Sequence, residues 1–446
     1  MAPPDRHVLR IPDPKWRDST SSHTARCVNY ICVVMLRSLY VLSLAAATVG
    51  VADAEESAQR SDPLRVIDVI TLARQHRAEI LAARARARAS AQRPAIVSAL
   101  EDPMVLPAID HLPFMGGGAN WSFVVEQRFP LSGIRGHRGR AAEAEARGSL
   151  AEADRVQLDV ELEATSAFLM LREERQMAII LGEQKALADH VVTAATARYG
   201  AGKGAQAEVL RAEIEVARLA GEVEGKAADV RAAVAMLNTS IGRPPDVPIG
   251  ELAAPQTDEP LAQRGAVDAA LARRPELRAG QAEIDRARAD ESVMNDMYKP
   301  MAMVQTGPAY TMTDGAGWMV MVGISIPIWR GKLRAGAAEA KAMTEMSEQD
   351  LVAMRRMVVG DAVAARERVL AARARWLALR DQVVPRAKAA IEPTLSAYAT
   401  GQLPLVSVLE AVQTLWATQM ELVSAERRLG EMSARLSRAT AQGGQP

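Results

Sequence analysis

The side chains of this chain that could handle ions include carboxylates placed just after two glycine-containing segments. Glu208 and Glu215 follow the first segment seven residues apart, so a helix would place both on one face. Glu410 follows the second segment. Carboxylates repeated around a symmetric pore form a negative ring that favours cations. We therefore expect Glu208, Glu215 and Glu410 to line a pore, although a solvated outer helix face would show the same pattern.

Methionines offer a second ion-handling chemistry, because thioethers bind soft cations such as Cu(I) and Ag(I). Met301, Met303, Met319 and Met321 would share one face of a predicted β-hairpin. That hairpin would put Met319 opposite residues near 311, well away from Met301 and Met303. The sequence therefore predicts no clustered metal site.

No catalytic constellation accompanies these groups. The sequence has no nucleophile elbow, no phosphate-binding loop and no pair of histidines at metal-ligand spacing. Basic and acidic side chains balance at 54 each, so no net charge favours nucleic acid. We expect a protein that is not an enzyme, carries no cofactor or resident metal and does not bind nucleic acid.

The N-terminal region has the pattern of a targeting segment. Arg37 precedes an apolar run, and Ala52-Asp53-Ala54 supplies a small-residue cleavage site. We expect residues 1–54 to be a leader and signal peptide. Cys27 and Cys32 both precede this site, so the mature chain would have no thiol.

Alternating stretches predict two β-hairpins, at 103–130 and 300–328. Each strand has about ten residues, the length that a tilted strand needs to cross a bilayer. An ordinary soluble hairpin would alternate in the same way, but aromatic residues at both ends of an apolar face are typical of a membrane girdle. The predicted girdle residues are Trp121, Phe129, Tyr310, Trp318 and Trp329.

Each hairpin is followed by a helical stretch far longer than a globular helix. From about Gly136 to Arg198 the chain has no proline, and about 60 helical residues span roughly 90 Å. The stretch from Gly331 to Ala397 matches it, apart from interruptions at Pro385 and Pro393. Such alanine-rich lengths predict coiled coils.

The same features recur at a nearly constant spacing, which indicates a tandem duplication. Pro130 and Pro327 are 197 positions apart, and Tyr199 and Tyr398 are 199 apart. We predict a mainly α fold with a small β part. Its expected divisions are a first repeat at 55–242, a linker at 243–262, a second repeat at 263–438 and a tail at 439–446.

The four predicted strands cannot close a barrel alone, and open sheet edges are not tolerated in lipid. The chain must therefore oligomerise to cross a membrane. Two copies would give a barrel of eight strands, whose interior is filled by side chains. Three copies would give twelve strands, which leave a water-filled lumen.

The chain resembles the TolC-like outer-membrane efflux family over about residues 63–436. The resemblance rests on the duplicated unit, on the transitions QRFPLSGIRG and SIPIWRGKL, and on the turns RYGAGKGAQAEVLRA and AYATGQLPLVSVLEA. Within the family, the heavy-metal efflux branch is the most similar.

This resemblance implies a homotrimer with a β-barrel in the outer membrane and an α-helical barrel that crosses the periplasm. It also implies two partners, a periplasmic adaptor protein and an inner-membrane pump of the RND type or another type. The tip residues implied to dock the adaptor are Arg198, Tyr199, Gly200, Gly202, Tyr398 and Gly401.

Two other functions remain open on the sequence. An outer-membrane duct that exports proteins would have the same architecture as a duct for small solutes or heavy-metal cations. A periplasmic coiled-coil adaptor or scaffold would share the long helices but would not need two aromatic-rimmed hairpins.

Overall fold

The computed structural model describes residues 63–111, 119–254 and 265–442. The predicted signal peptide, most of the first hairpin loop, part of the predicted linker and the last four residues lie outside the described residues. The described first repeat consists of α1 Val66–His76, α2 Ala78–Ser90, α3 Arg93–Ser98, β1 Met104–His111, β2 Asn120–Pro130, α4 Ile134–Gly200 and α5 Gln206–Ser240.

The described second repeat has the same order of elements. It consists of α6 Ala266–Arg273, α7 Pro275–Asp296, β3 Met301–Thr311, β4 Gly315–Ser325, α8 Arg330–Ala378, a π-helical segment Leu379–Val383, α9 Val384–Ala389, α10 Ile391–Ala399 and α11 Leu405–Ala439. The mainly α fold class is therefore confirmed. None of the described helices is both long enough and apolar enough to cross a membrane.

The four strands form one antiparallel sheet in the order β1-β2-β3-β4. The two hairpins join through β2 and β3, with Pro130 opposite Met301 and Trp121 opposite Tyr310. The strands β1 and β4 are the outer edges of the sheet. Both predicted hairpins are thus present, and they share a single surface.

The end of the last strand differs from the expectation that it would reach residue 328. β4 ends at Ser325, opposite Met301 at the start of β3. The next three residues have no strand partner among the described residues, so they form no ladder. The hairpin turn is centred at residue 313, because Thr311 pairs with Gly315, whereas the expected pairing of Met319 with residues near 311 would centre it near 315.

This register corrects the expected placement of the methionines. Met319 lies opposite Gly307, and Met321 lies opposite Gln305. Because Met303 lies opposite Gly323, Met321 is its diagonal neighbour on the same face. The expected wide separation was therefore wrong. The described residues still contain no group of three or more His, Cys, Asp or Glu side chains that could hold a metal.

The long helix α4 is the element against which most other described helices pack. Its 67 residues extend for about 100 Å. It buries Phe168 and Leu171 against Leu237 of α5, and all three side chains are fully buried. The segments interrupting the second long helix arise near Pro385, which lacks the N–H that an α-helix needs. Near the first hairpin, by contrast, Pro94 opens the short helix α3 rather than ending a helix.

The duplication is also visible in two ion pairs that buried arginines form with exposed carboxylates. Arg77 binds Glu163 at 2.9 Å, and its counterpart Arg274 binds Asp361 at 3.1 Å. Both arginines are almost completely buried just before a helix of their repeat. Each repeat therefore uses a buried arginine to fasten its shorter helices to its long one.

Candidate functional site at the helical tips

Two tight turns reverse the chain at one end of the long helices. Gly202 lies between α4 and α5 with φ +68°, and Gly401 lies between α10 and α11 with φ +79°. This left-handed backbone favours glycine, which has no Cβ. The turns also share their hydrogen bonds, since the N–H of Gly202 donates to Tyr199 and that of Gly401 to Tyr398.

Arg198 connects the two turns. Its Nη1 donates to the carbonyl oxygen of Tyr398 at 2.7 Å, and its guanidinium lies 4.5 Å from the centre of that residue's ring. A second, longer bond of 3.4 Å joins its Nη2 to the carbonyl of Lys203. A single side chain thus holds both turns in one unit.

The interior of this unit contains polar atoms without partners. The hydroxyl of Tyr398, one carboxylate oxygen of Glu208 and Nε of Arg198 are buried and form no hydrogen bond in the described structure. Burial raises the pKa of the Tyr398 phenol, with Glu208 adding to the rise and Arg198 opposing it. Buried polar groups normally have hydrogen-bond partners, so these three atoms are unusual among the polar groups of the described tip.

The six residues expected at the tip do gather there, but they face different surroundings. Arg198 and Tyr398 pack inward, whereas Tyr199 is 48% exposed. Around Gly200, Gly202 and Gly401 there is open space, since an added Cβ would meet nothing within 4 Å. Their docking role stays a prediction.

The three carboxylates expected to line a pore have unequal environments. Glu208 and Glu215 are half-buried on one face of α5, as their spacing predicts, while Glu410 is exposed on α11. Arg218 binds Glu215 at 2.5 Å, and this hydrogen bond lowers the pKa of the Glu215 carboxyl. The charge of Glu215 is therefore largely compensated, and the pore-lining role of all three residues stays a prediction.

The expected girdle residues lie at the ends of the sheet. Trp121 stacks on Tyr310 with ring centres 6.2 Å apart, and the indole N–H of Trp318 donates to Thr306 at 2.8 Å. Phe129, near the end of β2, and Trp329, just before α8, are exposed. The membrane role of these residues also stays a prediction.

The opposite face of the sheet holds a polar cluster that the sequence reasoning did not single out. Glu126 is nearly buried there and accepts hydrogen bonds from Gln305 at 2.7 Å and from Arg128 at 2.9 Å. Glu126 and Arg128 alternate in β2 with Phe123 and Phe129, so they lie on the face opposite these aromatic residues. Only the pairing of β2 with β3 brings Gln305 to them, so alternation alone could not reveal the cluster.

Comparisons with known proteins show similarity to outer membrane efflux proteins. Residues 266–442 match the family described as outer membrane efflux protein. The outer membrane efflux protein BepC of Brucella suis biovar 1 (strain 1330) is 26% identical over 286 residues, which is 62% of this chain and 62% of that relative.

Solved structures share the fold at low identity. The outer-membrane channel OprN aligns with a TM-score of 0.74 and 19% identity, covering 85% of this chain and 91% of that one. VceC of Vibrio cholerae aligns at 0.72 and 16%, covering 85% and 97%. CusC, described as forming a transmembrane channel, aligns at 0.73 and 12%, covering 84% and 91%.

These matches assign residues 266–442 to the predicted outer membrane efflux protein family and confirm the predicted fold. The location named for the matched family and for BepC agrees with the predicted outer-membrane location. The matched family is described as an outer membrane efflux protein, and OprN is described as an outer-membrane channel. Neither description is that of an enzyme, in agreement with the sequence expectation.

Proposed function

We propose that this chain, whose residues 266–442 are an outer membrane efflux protein domain, forms the outer-membrane exit duct of a tripartite efflux system. One observation supports this most strongly. A sheet with an exposed apolar face and two unpaired edges lies at one end of the long helices, of which α4 extends for about 100 Å. Lipid can cover the apolar face of such a sheet, and helices of this length can cross a wide aqueous compartment.

The proposed duct is a homotrimer. A sheet of four strands leaves the edges β1 and β4 unpaired, and unpaired backbone groups are not tolerated in lipid. Three copies close about twelve strands into a barrel with an open lumen. The chain supplies no energy source of its own, so transport would be driven by an inner-membrane pump of the RND type or another type.

The proposed contact with a periplasmic adaptor lies at the tips. Tyr199 is exposed beside Gly200 and Gly202, which leaves a smooth surface against which another helix can pack closely. Arg198 and Tyr398 would support this surface from inside.

The proposed cargo is a small solute or a heavy-metal cation. The cation alternative is favoured by the inner face of the sheet, where the methionines Met303 and Met321 are diagonal neighbours. Thioethers bind soft cations. A duct for secreted proteins would not need these side chains.

Export can be tested in cells that lack the gene. We expect them to become more sensitive to the exported compounds in a panel of drugs and of copper, silver, zinc and cadmium salts. The intact gene should restore resistance, whereas Gly307→Val, which should prevent assembly of the sheet, should not. Unchanged sensitivity to the whole panel, together with impaired protein secretion, would contradict the solute and metal assignment.

Adaptor docking gives a separate prediction at the turns. Gly202→Val and Gly401→Val each force a β-branched residue into a left-handed backbone, which costs about 1–2 kcal/mol. We expect adaptor binding to weaken several-fold while the trimer stays intact, as measured by pull-down and by mass in detergent. Gly221→Val is the matched control, because Gly221 is helical, lies in α5 away from the turns and has open space around it. Unchanged adaptor affinity in both valine variants would remove the docking assignment.

A further inference from the structure

Two oppositely charged segments lie at the two outer edges of the sheet. Arg330, Lys332 and Arg334 follow the edge strand β4, and Glu101 and Asp102 precede the edge strand β1. All five residues are exposed. Within the described part of the chain, none of their side chains forms an ion pair.

Among the described residues of a single copy, the three basic residues have no anionic partner, although Arg330 lies 5.9 Å from the centre of the Tyr298 ring. They stand in the first turns of α8, and the first turn of this helix has no acidic residue. Cations at a helix N-terminus oppose the helix dipole and destabilise it. An anionic partner at this position would relieve that cost.

The internal junction between β2 and β3 shows how such a partner can be supplied. The Asp296 carboxylate, which precedes β3, lies 3.5 Å from Nε2 of His137 in α4 and 2.6 Å from Nζ of Lys299. One carboxylate therefore ties the helix that follows one strand to the segment that enters the neighbouring strand. Pro130 lies opposite Met301 at this junction.

The duplication predicts a related junction between two copies. Shifting by the repeat spacing of 197 turns Pro130 into Pro327 and His137 into Arg334. The reverse shift turns Met301 into Met104 and Lys299 into Asp102. The basic residue that precedes β3, Lys299, thus corresponds to an acidic residue that precedes β1, Asp102.

The central carboxylate of the internal junction has no counterpart at this second junction, because the reverse shift turns Asp296 into Ala99. The space that Asp296 fills would be left to the long side chain of Arg334. That side chain would meet Asp102 directly, where the internal junction needs Asp296 to bridge two bases.

In the proposed trimer β4 of one copy must pair with β1 of the next, and we infer the register of that pairing: Pro327 lies opposite Met104, and Arg334 binds Asp102 of the neighbouring copy. This inference rests on the proposed trimer and specifies its interface. Arg330 and Lys332 add positive charge beside Arg334, and Glu101 adds negative charge beside Asp102.

The same register matches the exposed apolar residues of the two edges. It places Ile326 opposite Val105 and Val322 opposite Ile109, all on the outward face. These four side chains are between 52% and 68% exposed in one copy. The pairing would also extend β4 beyond Ser325, to the length that the alternating pattern predicts.

Cysteine cross-linking tests the register. Cys27 and Cys32 both precede the expected cleavage site, so the mature chain offers a background without thiols. The double variant Val105→Cys with Ile326→Cys should form disulfide-linked oligomers, because opposite strand residues lie within disulfide reach. Val105→Cys with Val322→Cys is the matched control, with both residues on the same outward face but four positions out of register. Cross-linking of the control pair alone would overturn the register.

Charge reversal tests the ion pair. Asp102→Arg and Arg334→Asp should each lower the temperature at which the trimer dissociates in detergent, and the double reversal should recover most of the loss. Equal and additive losses would overturn the pairing of Arg334 with Asp102. So would an unchanged trimer in which Arg334→Asp instead weakens binding to phosphatidylglycerol vesicles, because the partner would then be a lipid head group.

The outcomes separate this inference from the proposed function. A wild-type protein that is monomeric in detergent and forms no channel would contradict the proposed duct itself. A conducting trimer that cross-links in another register would contradict only the interface described here.

Discussion

Gly307→Val is expected to prevent assembly of the membrane sheet. A Cβ at Gly307 would lie 2.1 Å from the carbonyl oxygen of Phe123 and 2.8 Å from Cα of Val124. Both atoms belong to the backbone of the neighbouring strand, so β2 and β3 would have to separate. We expect a loss above about 4 kcal/mol, which is in the range of the most damaging single substitutions. Little or no trimer should then reach the outer membrane, as measured by membrane fractionation and immunoblotting.

The neighbouring strand provides a matched control. Gly317 lies on the same face of the sheet, in β4, and an added Cβ would meet nothing within 4 Å. Gly317→Val should therefore assemble in nearly normal amounts. Equal amounts of trimer for both variants would show that the close approach of β2 and β3 at Gly307 is not required.

Arg198→Ala is expected to separate the two turns at the tip. The substitution removes a charged hydrogen bond to the carbonyl of Tyr398 and a cation–π contact with its ring. Together these contribute about 2–3 kcal/mol. Separated tips would become roughly 30–150 times more populated, since about 1.4 kcal/mol corresponds to a factor of ten. Single-channel records in planar bilayers should show more frequent or larger openings.

Two further variants control this experiment. Arg198→Lys keeps the charge but loses the planar guanidinium that spans both contacts, so its effect should be intermediate. Tyr199→Phe changes only the hydroxyl group of an exposed neighbour and should leave the records unchanged. Identical records for the wild type and for Arg198→Ala would mean that the Arg198–Tyr398 contact does not control the tip.

Local patterns in the sequence were sufficient for much of this fold. The absence of proline between Gly136 and Arg198 predicted one continuous helix, and α4 spans this range. Alternation predicted both hairpins because a half-exposed strand has a period of two residues. The near-constant spacing between Pro130 and Pro327 predicted the duplicated order of elements.

Contacts between distant segments could not be predicted in this way. The bond from Arg198 to Tyr398 joins residues 200 positions apart, and the spacing of the two turns does not reveal that they touch. The early end of β4 depends on where β3 begins, so alternation alone carried the predicted strand too far. The placement of Met321 beside Met303 depends on the hairpin register, in which Met319 lies opposite Gly307, about four residues from the partner expected near residue 311.

The most direct test of the proposed duct is the conductance of the purified protein in planar bilayers, with its mass measured in the same detergent. We expect a trimer that inserts into the bilayer and conducts, with a preference for cations. A protein that stays soluble without detergent and gives no conductance would contradict the membrane role of the sheet. The periplasmic scaffold would then be the better account of the long helices.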